Sequence, residues 1–254
     1  MRALLTAALL PRVVLPGRDQ MAIDHALLGW AGAGPDRLAL RVYGWAHPTL
    51  SLGRAEPFPE GWNEDALRAE GIDVVQRPTG GDAVLHDDEV TFAVAASVPG
   101  PWAAGPRAFA LAVADGVAAG LRAAGIPATV VGRGEEDGPA GRPGARPCFA
   151  RAAVGEVRVG DRKAAGIASR FAPRAALSHG SIPLSPRHRD VARFRTARLE
   201  AEAMLRDHTR SAGEALGRAV APGEIEGPLL EALGRRFGVR LEAASFADLG
   251  VPIS

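Results

Sequence analysis

The chain has 254 residues, of which 30 are basic and 29 acidic, so its formal net charge at pH 7 is only +1. A chain this close to neutral lacks the positive field that draws a protein onto nucleic acid. It contains one cysteine, which excludes an internal disulfide and a cysteine-based zinc site. With 47% apolar and 23% charged residues, the composition is that of a globular protein and not of a disordered one.

Neither a membrane span nor an export signal is predicted. The most apolar helical stretch, residues 108–126, is interrupted by Asp115 and Arg122. The N-terminal apolar run, residues 3–10, is short and is followed by Pro11 without a good small-residue cleavage site. We therefore expect a cytoplasmic protein that does not associate with membranes.

Strand-like and helix-like stretches follow one another through the first half of the chain. Apolar residues at helical spacing predict a first helix over residues 20–31, with Asp19 as its N-cap. Further helices are predicted over residues 63–70 and 106–124. The intervening stretches predict strands over residues 38–45, 49–52, 73–77 and 90–98.

The second half of the chain begins with a change of composition. Residues 132–147 hold five glycines and three prolines without an apolar period, which predicts a mobile loop. Strands are then predicted over residues 154–159, 164–171 and 177–184, and a mostly helical part from about residue 187 to a last strand at 239–243. Because neighbouring strands are joined by hairpins, the order indicates an α+β fold, and we interpret residues 1–254 as one domain.

The first stretch with a candidate chemical role contains a glycine pair between two strands. Gly80 and Gly81 lie in the segment from Arg77 to Asp87. Without a Cβ, such a backbone can turn tightly and approach a carboxylate, a phosphate or an acyl carbonyl. On spacing alone, a structural turn is the simpler interpretation, and the segment does not match a Walker phosphate loop.

Cys148 and Lys163 are each the only residue of their type in the chain. A lone cysteine is usually a small buried apolar residue, but Cys148 follows a polar loop and has arginine neighbours that favour the nucleophilic thiolate. A lysine is usually solvated at the surface. Since the other 29 basic residues are arginine, a single lysine indicates a site that needs an amine. The alternative is that this lysine has been retained by chance.

The histidines indicate a pocket but no metal site. His86 and His179 lie in glycine-containing segments beside strands, where they can line a pocket. None of the six histidines forms a pair at metal-ligand spacing, so no metal is predicted.

Together these stretches resemble the biotin/lipoate protein ligase superfamily, and within it the LipM-type octanoyltransferases of lipoyl biosynthesis. The resemblance is carried by the first helix around Gln20, by the paired strands to Gly53, and by three motifs: Arg77–Val94, Pro147–Phe149 with Gly160–Arg170, and His179–Ile182. It implies a mixed β-sheet with flanking helices around an acyl pocket, Cys148 as nucleophile and Lys163 as the pocket lysine. The implied substrate-binding residues are Arg77, Thr79, Gly80, Gly81, Asp82, Ala83, Val84, His86, Gly166 and His179.

The implied reaction moves octanoate from acyl carrier protein to a lysine of a lipoyl-carrier protein, either the glycine-cleavage H protein or a dehydrogenase lipoyl domain. It runs through a thioester on Cys148 and needs no cofactor. An ATP-dependent lipoate–protein ligase, using ATP and magnesium, is the alternative; the acidic Asp82 beside the pocket opposes an adenylate phosphate. A lipoyl amidotransferase and a non-catalytic protein that binds an acyl group or a carrier are further alternatives.

Overall fold

The computed structural model describes residues 5–132 and 155–252, and within these ranges the chain forms two β-sheets and six α-helices. Cys148 and nearly all of the predicted loop at 132–147 lie outside the described residues. The α-helices are α1 (Gly17–Gly32), α2 (Glu64–Ala69), α3 (Pro106–Ala123), α4 (Arg198–His208), α5 (Ala212–Leu216) and α6 (Pro222–Phe237). A 3-10 helix, Pro186–Phe194, precedes α4.

The large sheet is mixed. Its strands are β1 (Leu5–Leu9), β2 (Val14–Leu15), β3 (Leu38–Trp45), β7 (Glu89–Ser97), β8 (Ala128–Val130), β9 (Val157–Val159), β10 (Arg162–Ala172), β11 (Ala175–Pro183) and β12 (Val239–Ala243). The order is β12-β1-β3-β7-β11-β10-β9-β8, with β2 paired to β3. Strand β1 runs parallel to β12 and β3, whereas the pairs from β3 to β8 are antiparallel.

A second, three-stranded sheet lies beside the first. It consists of β4 (Thr49–Leu52), β5 (Asp73–Gln76) and β6 (Val84–His86), in the order β5-β4-β6. Its core includes Leu50, Leu52 and Leu85 and continues into the 3-10 helix and α4 through Phe194 and Leu205.

Helices cover both faces of the large sheet. On one face α3 and α6 bury a core that includes Phe92, Phe109 and Leu233. On the other face α1 packs Ile23 and Leu27 against alternate residues of the same strands. Since β7 is buried over its whole length, it reads as a nearly continuous apolar run and not as an alternating strand. The predicted α+β fold, a mixed sheet with flanking helices, is confirmed.

Most predicted elements form within two residues of their expected ends, and the differences are local. Asp19 is not the N-cap of α1: the helix begins earlier, after Pro16, and Asp19 lies in its first turn, where a carboxylate favours the positive end of the helix dipole. Strands β1, β2, β6 and β8 were not predicted. All four are short, and each takes its hydrogen bonds from a strand that is distant in the sequence.

Candidate active site

A cavity lies between the large sheet, the small sheet and α1. Four paired residues, one on each of four neighbouring strands, form a row along its wall. Tyr43 on β3 pairs with Thr91 on β7, Thr91 with Ser181 on β11, and Ser181 with Gly166 on β10. This row of lining residues therefore spans three strand spacings, or about 14 Å of sheet.

Asp24 on α1 is the centre of a buried ionic network beneath the cavity. Its Oδ1 accepts hydrogen bonds from Arg41 Nη2 at 2.6 Å and Nε at 3.0 Å, and its Oδ2 accepts from His179 Nδ1 at 2.7 Å and from the Tyr43 hydroxyl at 3.3 Å. Burial alone would raise the pKa of Asp24, but Arg41 and His179 lower it below its ordinary value. Asp24 is therefore a carboxylate, and it compensates the fully buried guanidinium of Arg41.

Thr79 connects this network to the glycine-rich segment. Its hydroxyl lies 2.6 Å from His179 Nε2, while His179 Nδ1 faces Asp24. Burial lowers the pKa of His179, so its ring is neutral at pH 7. Because a carboxylate can only accept, Nδ1 carries the proton and Nε2 accepts from the threonine hydroxyl.

A second hydroxyl–imidazole–carboxylate chain lines the cavity from the small sheet. The Ser51 hydroxyl lies 2.7 Å from His86 Nε2, and His86 Nδ1 lies 2.6 Å from Glu89 Oε1. Burial would raise the pKa of Glu89, but His86 and the hydroxyls of Ser181 and Thr91 lower it, so Glu89 is ionised. This carboxylate therefore fixes the orientation of His86 in the cavity wall.

Arg77 organises the glycine-rich segment through backbone carbonyls. Its guanidinium donates to Gly80 O at 2.8 Å, to Asp82 O at 2.7 Å and to Ser51 O at 2.9 Å. The segment also packs tightly on Gly53, where an added Cβ would lie 1.7 Å from Gly81 O. Gly53 is thus required by the close approach of two backbones.

Lys163 is buried at the start of β10, in the hairpin that the sequence predicts. Its Nζ donates to Glu156 Oε1 at 2.5 Å, and the two side chains are 1% and 14% exposed. The β9–β10 register shifts between Lys163 and Ala165, which marks a β-bulge directly beside the lysine. Gly166, three residues further on, lines the cavity, so one strand positions both the lysine and the cavity wall.

The predicted substrate-binding residues converge, though not in one role. Five of them line the cavity: Arg77, Val84, His86, Gly166 and His179. Thr79 contacts the wall through His179, and Gly80, Gly81 and Asp82 form the segment held by Arg77. Ala83 is buried in the core of the small sheet. The predicted nucleophile, Cys148, lies outside the described residues.

The sequence reasoning missed the buried charged residues behind the cavity wall, Asp24, Arg41 and Glu89. Asp24 lies on the buried stripe of α1 between Met21 and Leu27, where a carboxylate is out of pattern. Arg41 likewise interrupts the apolar residues of β3. A charged residue within an apolar stripe indicates a buried pair, and this feature was available in the sequence.

Comparison with known proteins identifies the family of this fold and site. The family model of the lipoyl protein ligase A/B catalytic domain matches residues 16–233. The chain belongs to this family. Its relatives include the octanoyltransferase LipM of Moorella thermoacetica, 34% identical over 86% of this chain and 82% of the relative, and that of Symbiobacterium thermophilum, 34% identical over 92% and 87%. These relatives confirm the prediction of a LipM-type octanoyltransferase.

Solved structures confirm the fold. A lipoate-protein ligase A bound with ATP matches with a TM-score of 0.75 and 18% identity, covering 94% of this chain and 89% of its own. A bipartite lipoate protein ligase from Thermoplasma acidophilum also reaches 0.75, at 19% identity, covering 95% and 87%. At this identity the likeness concerns the fold alone.

Two further structural findings concern residues 5–132 and 155–252. In these ranges, no three His, Cys, Asp or Glu side chains are grouped so that they could hold a metal ion. No helix among them combines the length and the apolar character that a membrane crossing requires.

Proposed function

We propose that this enzyme transfers an octanoyl group from the thioester of acyl carrier protein to a lysine amine of a lipoyl-carrier protein, by way of a thioester on Cys148. The observation that carries the proposal is the placement of Lys163, the only lysine of the chain. It is buried and ion-paired on β10, the strand whose residues Gly166, Ile167 and Ala168 line the cavity. A cationic donor beside an acyl cavity suits a reaction in which a carbonyl oxygen gains negative charge.

The cavity suits the octanoyl chain. Its apolar lining comes from Met21, Tyr43, Val84, Ile167 and Ala168. A saturated chain with C–C bonds of about 1.5 Å advances roughly 1.25 Å per bond, so an extended octanoyl group spans about 9 Å. This length is shorter than the three strand spacings that the row of lining residues spans.

The proposed chemistry has two balanced steps. The Cys148 thiolate attacks the carbonyl carbon of the donor thioester and forms a new C–S bond, which gives a tetrahedral oxyanion. The old C–S bond then breaks, and the carrier thiolate leaves and is protonated. The acceptor amine then attacks the same carbon, the Cys148 sulfur leaves, and the nitrogen loses one proton. A thioester is exchanged for a thioester and then for a more stable amide, so we propose that ATP and magnesium are not required.

The acceptor and the compartment belong to the same proposal. The acceptor is a lipoyl-carrier protein, either the glycine-cleavage H protein or a dehydrogenase lipoyl domain. A single nucleophilic cysteine is best preserved in a reducing compartment, which favours the cytoplasm.

Intact-mass spectrometry after incubation with octanoyl acyl carrier protein tests the proposal. We expect one octanoyl group on the wild-type chain, none on Cys148→Ser, and transfer of the group when a lipoyl-carrier protein is added without ATP. Full transfer by Cys148→Ser would refute the cysteine route. Transfer that required ATP and free octanoate would instead identify a ligase.

A further inference from the structure

The Lys163–Glu156 pair determines what the lysine can do in the reaction. The two side chains approach to 2.5 Å from neighbouring segments of one hairpin, and both are largely buried. The β-bulge beside Lys163 interrupts the regular β9–β10 ladder at this point. A pair held by a bulge in a hairpin is positioned by the backbone and not by flexible surface side chains.

Burial makes an isolated ammonium costly, and a carboxylate in contact reverses that effect. The need for compensation is greater here because Arg158 faces Lys163 directly across the β9–β10 ladder. Asp161 in the turn and Arg162 at the start of β10 precede it, and Arg210 donates its backbone N–H to the Lys163 carbonyl at 2.9 Å. Glu156 therefore supplies an anion in contact with Lys163 in a region that contains several cationic side chains.

We propose that Glu156 is a positioning residue that holds Lys163 as an ammonium, so that Lys163 donates hydrogen bonds to developing negative charge and does not act as a base. The inference rests on the proposed function. An ammonium stabilises the Cys148 thiolate and the oxyanion of each tetrahedral intermediate. It cannot accept the proton of the acceptor amine; that proton goes to the departing Cys148 sulfur, which regenerates the thiol.

The single lysine makes the protonation state directly measurable. Protein grown with ¹³C,¹⁵N-lysine carries one labelled side chain, so its resonance needs no assignment. In the wild type we expect the ammonium form to persist at least to the ordinary lysine value of about 10.4. In Glu156→Gln we expect the titration to move down by about 1–3 units. Glu156→Asp, which keeps the charge, should preserve the ammonium.

Kinetics of octanoyl transfer supply the second readout. At a pH above the lowered titration point of Lys163, where the variant has lost the ammonium and the wild type keeps it, Glu156→Gln should lower kcat about 100-fold relative to the wild type, with KM for the octanoyl donor nearly unchanged because Glu156 is not among the residues that line the cavity. The alkaline limb of its pH–rate profile should move down with the resonance, and Glu156→Asp should restore much of kcat. Glu202→Gln, which removes the partner of Arg198 on α4, is the matched control and should change neither readout.

The outcomes separate this inference from the proposed function. An unchanged lysine titration in Glu156→Gln would overturn it, as would a shifted titration combined with the pH–rate profile of the wild type. If the wild type transfers no octanoyl group, the proposed function fails; the resonance, recorded without substrate, still shows whether Glu156 holds the ammonium.

Discussion

The Asp24 carboxylate should be worth several kcal/mol to the fold, and Asp24→Asn tests this with almost no change of shape. The substitution removes the charge opposite Arg41, whose guanidinium is fully buried and bonded to Asp24 at 2.6 and 3.0 Å. Breaking a buried pair by neutralising one partner costs about 3–5 kcal/mol, because the remaining charge is left uncompensated. For a chain of this size, that corresponds to a fall in Tm of roughly 6–20 °C.

Urea unfolding followed by circular dichroism measures the effect. Asp65→Asn is the matched control, since Asp65 pairs with Arg68 at the surface and its side chain is 93% exposed. The control should change the free energy of unfolding by less than about 0.5 kcal/mol. A loss below about 1 kcal/mol in Asp24→Asn would refute the reasoning and show that Arg41 is compensated in another way.

A double-mutant cycle with Arg41→Gln locates the energy in the pair. If the two side chains stabilise each other, the double variant should be less destabilised than the sum of the single variants by about 2–3 kcal/mol. Simple additivity would show that the two substitutions act independently, for example through loss of packing.

Three other side chains give predictions in different parts of the molecule. Burial lowers the pKa of His188 from 6.5 to about 4, so its contribution to stability is complete above pH 6.5 and is lost as the pH falls through 4, by about 3 kcal/mol in total. Between pH 7 and pH 4, urea unfolding should show a smaller loss of unfolding free energy in His188→Gln than in the wild type. Equal losses in the two proteins would contradict the lowered pKa of His188. Gly180→Ala places a Cβ 2.6 Å from Gly166 O and from the Phe92 ring; we expect about 1–3 kcal/mol of destabilisation and a higher KM for the octanoyl donor, and an unchanged melting curve would exclude the clash. Lys163→Arg keeps the charge but not the compact ammonium, and kcat for octanoyl transfer should fall at least about 100-fold, whereas near-wild-type kcat would show that charge alone suffices.

Local patterns in the sequence were sufficient for the elements that hold Lys163 and the cavity wall. The Gly160–Asp161 turn predicts the β9–β10 hairpin, and Gly160 adopts the positive φ of 63° that such a turn requires. Helix α3 follows from its apolar period. These features depend on neighbouring residues, so a single sequence is enough to predict them.

Contacts between distant residues could not be predicted in this way. His179 and Asp24 are separated by 155 positions in the sequence, yet their side chains are in contact. Strand β12 pairs in parallel with β1, from the opposite end of the chain. Neither the partner nor the register of such pairs is encoded in local periodicity, because each depends on how the whole sheet assembles.

The polar residues of the cavity also show why a site rich in serine, threonine and histidine suits a saturated chain. The hydroxyls of Ser51 and Thr79 contact imidazole nitrogens, and those imidazoles contact Glu89 and Asp24. Burying about seven methylene-sized groups at roughly 0.8 kcal/mol each stabilises a bound octanoyl chain by about 5–6 kcal/mol. Each polar group left without a partner beside the chain would cost about 1–3 kcal/mol, so two to five of them would cancel this gain. If the cavity binds the octanoyl chain as proposed, the buried carboxylates contribute to acyl binding without touching the substrate, because they complete the hydrogen bonds of the wall before the chain arrives.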